Sequence, residues 1–175
     1  MKVTVIGNGP SRASIPLEKI SGITIGCNEI FEVFTPDYLC AVDYRMMKLL
    51  YNSTYTNPVY YRAKSLEVEG LKPKENWLSP SFMQHHSSGN AAISLAVSLN
   101  PTQIDLLGFD CNLGRVLRLS HVPTASIHLW VRNLINMSKK YPYIRRVVDE
   151  TCLQIPEVPS ITVEQYLKEF GEAEK

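Results

Sequence analysis

A strand-forming run, Val3-Thr4-Val5-Ile6, turns directly into Gly7-Asn8-Gly9-Pro10-Ser11, and this juncture constrains the fold more than any other stretch of the chain. Two glycines around an asparagine, followed by a proline, cannot prolong a strand. The chain must turn at the strand's carboxyl end, the edge at which open α/β sheets bind their ligands.

The pattern repeats downstream. Short apolar or β-branched runs lie at Ile23 to Cys27, Tyr38 to Val42, Pro58 to Tyr61, Ile104 to Leu107 and Arg145 to Val148, with turn residues between them. Several are apolar on both faces, as strands are when helices cover a parallel sheet from both sides. Helices are expected at Asn90 to Leu99, ending at Asn100-Pro101, and at Thr124 to Lys140, where Thr124 can cap the start and Lys139 and Lys140 complement the negative end. A last helix from Val163 to Phe170 has Thr162 and Gln165 at capping-box spacing. Strand and helix in alternation predict an α/β fold: a single Rossmann-like doubly wound domain over residues 1–175, with a mostly parallel sheet and helices on both faces. Residues 63–86, with Pro73 and Pro80, read as an irregular surface connection, and residues 156–175 as an appended C-terminal helix joined through Pro156 to Pro159.

Composition excludes several functions. Eighteen basic and seventeen acidic residues leave a net charge of +1, without the electrostatic footprint of a nucleic-acid binder. Apolar runs are strand-sized, far short of the roughly 20 residues of a membrane helix. Cys27, Cys40, Cys111 and Cys152 are widely spaced with no zinc-site pattern, so reduced thiols in a cytoplasmic protein are expected, buried as small hydrophobes. Self-association is left open.

Five strand ends carry small or polar groups that could converge on one crevice. In the first loop, Gly7 and Gly9 permit close backbone approach to a phosphate, Pro10 shapes the turn, and Asn8 and Ser11 offer side-chain donors; a simple tight turn is the alternative. Ser87-Ser88-Gly89-Asn90 opens an Ala-rich helix, so Ser88 and Gly89 read either as an anion site or as an N-cap. After the Ile104 to Leu107 strand come Gly108-Phe109-Asp110, where Asp110 can accept from a ribose hydroxyl or a base amino group, or merely form a turn. Asn28 and Asp43 close the second and third strands. Tyr44, Arg45, Tyr60, Tyr61 and Arg62 can add stacking or charge, or serve the core. His121 stands in a polar stretch before the Thr124 helix and is the candidate general base; His85 and His86 can line the crevice mouth, and His128 reads as structural.

Together, Val-Ile-Gly-Asn-Gly-Pro-Ser near the start, Cys27-Asn28, Ser88-Gly89 before an Ala-rich helix, Gly108-Phe109-Asp110 and Leu119-Ser120-His121 resemble the bacterial sialyltransferases of the Campylobacter type over roughly the first 140 residues. The resemblance implies a Rossmann-like fold, a CMP-sialic acid donor and metal-free transfer, with no cofactor. Asn8 and Gly9 would face the donor phosphate, Asn28 the phosphate or ribose, Ser88 and Gly89 the donor, Gly108 and Asp110 the cytidine, and His121 would be the base. The family's two tyrosines after the Gly-Phe-Asp block have no counterpart, since no Tyr lies between Asp110 and Tyr141, and its lid is shortened or missing. Pro36-Asp37-Tyr38 and Val42-Asp43 also resemble the archaeal pterin diphosphokinase-like family, which implies ATP and magnesium held by Asp43 and Asp110. A noncatalytic nucleotide-binding or sequestering protein is the third reading.

Overall fold

The computed structural model describes residues 1–84, 87–112 and 124–173. Its order is β1 (Lys2–Ile6), β2 (Ile23–Cys27), β3 (Tyr38–Ala41), α1 (Tyr44–Tyr51), β4 (Val59–Tyr61), α2 (Ala63–Val68), β5 (Trp77–Leu78), α3 (Ser88–Ser98), β6 (Gln103–Leu107), α4 (Thr124–Lys140), β7 (Ile144–Val148), β8 (Ser160–Thr162) and α5 (Val163–Ala173). Short 3-10 turns follow β1 and β2, at Pro10–Ser14 and Asn28–Glu32.

The strands form one sheet in the order β5-β4-β3-β2-β1-β6-β7-β8, with every described pairing parallel. Parallel strands need crossovers, and these put α3 and α4 on one face and α1, α2 and α5 on the other. The sequence reason is visible strand by strand. Val3, Val5, Ile25, Ile104 and Leu106 enter the first core with Ala91, Ala92, Leu95 and Leu134, while Ile6, Leu39, Val59 and Leu107 enter the second with Met47, Leu50, Leu66 and Tyr166. The fold is therefore the doubly wound α/β domain expected.

Several elements go beyond the sequence reading. Residues 63–86 are not a plain surface connection: they contain α2, β5 and a 3-10 turn, and Leu66, Trp77 and Met83 are buried. Pro156 to Pro159 leads into β8, so the C-terminal segment is a sheet edge plus a packed helix, with Tyr166 fully buried. The Thr162 and Gln165 box forms as expected, each side chain accepting from the other's N–H.

One charged cluster is structural. The fully buried Asp105 accepts from Lys2 Nζ at 2.8 Å and Arg145 Nε at 2.6 Å, and Glu169 of α5 takes both cations at 3.1 and 2.8 Å. Burial would raise the Glu169 carboxyl, but the hydrogen bonds from Arg145 and Lys2 outweigh it and hold it below its ordinary value. These four residues dock α5 on the sheet. No helix among the described residues is long and apolar enough to cross a membrane.

Candidate functional site

The chain winds outward from β1 to β5, then returns to β6 on the other side of β1. The switch point lies between the carboxyl ends of β1 and β6, where α/β sheets open a ligand crevice. The Gly7 to Ser11 and Gly108 to Asp110 loops leave those two ends, and they are bonded to each other. Gly7 N–H donates to the Leu107 carbonyl at 2.8 Å and Gly9 N–H to the Gly108 carbonyl at 2.9 Å, extending the β1 and β6 pairing past the strands. Gly108 adopts a left-handed φ of +67°. A Cβ on Gly9 would stand 2.5 Å from the Asp110 carboxylate and 2.6 Å from the Gly108 carbonyl oxygen.

The two glycines of the first loop thus serve the approach of the loops to one another. Gly9→Val forces these loops apart, so it is expected to cost about 1 to 3 kcal/mol of stability and to weaken ligand binding at the same time. Melting curves paired with calorimetry check this; a variant as stable as the parent would show that the loops are not clasped.

Asp110, 2% exposed, completes the clasp. Its Oδ2 accepts from the Ser11 N–H at 3.0 Å and its Oδ1 from the Ser11 hydroxyl. Asn8 Nδ2 donates to the Cys27 carbonyl at 3.0 Å and ties the same loop to the end of β2. The Ser11 and Asn8 donors are therefore turned toward the protein. Pro10 opens the 3-10 turn behind them.

Beneath the β6 loop lies Arg146 of β7, 2% exposed. Its guanidinium donates to the carbonyls of Phe109 at 2.8 and 3.1 Å, Asp110 at 3.3 Å and Leu153 at 3.0 Å, while Leu153 N–H donates back to the Asp110 carbonyl at 2.9 Å. Sequence reasoning missed this residue. The signal was an arginine inside a strand whose flanks, Ile144 and Val147, are core.

Across the crevice, Ser87 caps α3 by accepting from Asn90 N–H. Ser88 Oγ accepts from the Val42 N–H at 3.1 Å and donates to Asn28 Oδ1 at 2.7 Å. Asn28 holds a left-handed φ of +51°, a conformation asparagine tolerates better than most residues. The N–H groups of Ser88 and Gly89 have no acceptor among the described residues and stand at the positive end of an eleven-residue helix. A Cβ on Gly89 would lie 3.1 Å from the Phe109 ring, so this glycine lets α3 press on the β6 loop. The structure gathers Asn28, Ser88, Gly89, Gly108 and the Gly7 to Ser11 loop at one sheet edge. Asp43 lies two strands out, exposed at the start of α1 with no side-chain capping bond.

His85, His86 and His121 lie outside the described residues. His128 is exposed on α4, beside a groove of about 380 Å³ lined by Cys111, Asn112, Ile127, Val131, Ile135 and Leu153 among others. Burial pushes the Cys27 thiol up to about 12 and Cys152 up to about 11, and it raises Cys40 and Cys111 as well. These thiols stay protonated at neutral pH, which leaves no activated thiolate nucleophile among them. No three His, Cys, Asp or Glu side chains cluster to hold a metal among the described residues.

No protein-family model matches the chain, and no curated protein matches it in sequence. Solved structures do match. The sialyltransferase CstII in complex with a trisaccharide acceptor and CMP aligns with TM-score 0.58 at 14% identity, over 83% of this chain and 80% of that one. CstII from Campylobacter jejuni, solved with the substrate analogue CMP-3FNeuAc, aligns with TM-score 0.57 at 13% identity over 83% and 80%. At such identity the likeness establishes a shared fold, the Rossmann-like α/β sheet described above.

Proposed function

We propose that this protein is a sialyltransferase-like glycosyltransferase that takes a nucleotide-activated sugar, a CMP-sugar, and transfers it without a metal ion. The carrying observation is the crevice at the switch point. It brings the N–H groups of Ser88 and Gly89, which have no acceptor among the described residues, to the same sheet edge as a clasped pair of loops, in a fold shared with enzymes solved with CMP. The donor phosphate rests on the positive end of α3, held by Ser88, Gly89 and Asn28. The cytidine lies along Gly108 and the Asp110 loop, and Asp43 takes hydroxyl groups further out. Asp110 acts by positioning, since both its oxygens engage Ser11. His121 removes the proton of the acceptor hydroxyl as it attacks the sugar's anomeric carbon, and CMP leaves with its phosphate stabilised by the helix end.

The diphosphokinase reading needs Asp110 as a magnesium ligand, a role in competition with its two bonds to Ser11. A thermal-shift panel decides between the classes. CMP and CMP-sugars should raise the melting temperature without magnesium, because a ligand at 100 times its dissociation constant adds about 2.7 kcal/mol. Stabilisation by ATP only with magnesium would favour the diphosphokinase, and tight CMP binding without turnover the sequestering protein.

A further inference from the structure

The end of β4 carries a cation that the site described above does not use. Arg62 is the first residue past Tyr61, and its Nε donates to Ser65 Oγ at 3.1 Å. Ser65, buried, donates in turn to the Val42 carbonyl. Val42 also supplies the N–H held by Ser88. One residue at the end of β3 therefore anchors both the start of α3, through its N–H, and the arm of Arg62, through its carbonyl. These bonds tie the Arg62 side chain, through Ser65, to the carboxyl end of β3. Adjacent strands lie roughly 4.8 Å apart, so Arg62 stands about one strand spacing beyond the anion position on Ser88 and Gly89. Among the described residues no carboxylate pairs with it, and its two terminal nitrogens have no acceptor.

We propose that Arg62 is a specificity-determining residue that pairs with a carboxylate on the sugar part of the ligand. This rests on the reading of the crevice as a nucleotide-sugar site. A planar guanidinium oriented through Nε presents its two remaining nitrogens as a fork, which suits the two oxygens of a carboxylate. The phosphate already has its place at α3, one strand nearer the switch point. An acid met at Arg62 therefore belongs to what the phosphate carries, or to the sugar that receives it.

Calorimetry on the parent, Arg62→Gln and Arg62→Lys tests this with three probes: CMP, CMP-N-acetylneuraminic acid, and an acidic oligosaccharide against its neutral core with CMP bound. Arg62 is half-buried and bonded to Ser65, so melting temperatures check that the variants fold. The expected result is equal affinity for CMP in parent and Arg62→Gln, a loss of tenfold or more for one acid-bearing probe, and partial recovery in Arg62→Lys. Loss on the CMP-sugar makes the donor the source of the carboxylate, and loss on the oligosaccharide makes it the acceptor. If Arg62→Gln binds every probe as the parent does, or loses CMP itself, the inference is overturned. A parent that binds neither CMP nor its sugar overturns the nucleotide-sugar reading, and the inference with it.

Discussion

Replacing Arg146 by Met is expected to destabilise the protein by about 2 to 4 kcal/mol and to abolish tight nucleotide binding. The two side chains are similar in length and both can lie in an apolar bed, so the change removes charge and donors more than volume. Three carbonyls, those of Phe109, Asp110 and Leu153, lose a charged donor. Leaving a buried acceptor unsatisfied costs about 1 to 3 kcal/mol. The Asp110 carbonyl keeps the Leu153 N–H, which trims the sum, and relief from burying a cation trims it further. The loss still wins, because the fork holds both sides of the Asp110 to Leu153 contact at once. Arg146→Lys should fall between, since an ammonium lacks the planar fork that reaches three carbonyls together. Urea unfolding measures the effect. A Met variant as stable as the parent would mean that the β6 loop holds its shape without the guanidinium.

The β1 juncture, the doubly apolar strands and the long amphipathic α4 carry their signals locally, in turn chemistry and periodicity, so they were legible in the sequence. The two-residue β5 and three-residue β8 are edge strands too short to show a period. Helix α1 follows Asp43 without a break, and its apolar positions Met46, Met47 and Leu50 sit among exposed Tyr44, Leu49 and Tyr51, which blurs the stripe.

The site was legible as a set of residues and not as a set of roles. Turn residues after strands predict convergence, because a parallel sheet puts every strand's carboxyl end on one edge. They do not tell which donors face a ligand and which face the protein. Asp110 and Ser11 are 99 positions apart, and Asn8 meets a carbonyl rather than a phosphate. Such pairings depend on β1 lying between β2 and β6, a fact of topology that no local pattern encodes. Arg146 was harder still, since it acts through backbone carbonyls supplied by other elements.

Replacing His121 by Ala is expected to lower sugar transfer by about 100-fold to 10,000-fold while leaving donor affinity nearly unchanged. A general base takes the acceptor's proton as the new bond forms, so on the proposed reading its removal raises the barrier without altering how the donor would bind. His121 stands eleven positions after Asp110 and three before Thr124, between the clamped β6 loop and the start of α4. Imidazole titrates near neutrality, and only its neutral form can accept the proton. Parental activity should therefore fall as the pH is lowered, and the Ala variant should lose that dependence. Loss of donor affinity in His121→Ala would make the residue a binding group instead. If the parent transfers or hydrolyses no activated sugar at any pH, the absence of tyrosines between Asp110 and Tyr141 has removed the assistance that the departing phosphate needs, and the crevice serves to hold a nucleotide rather than to turn it over.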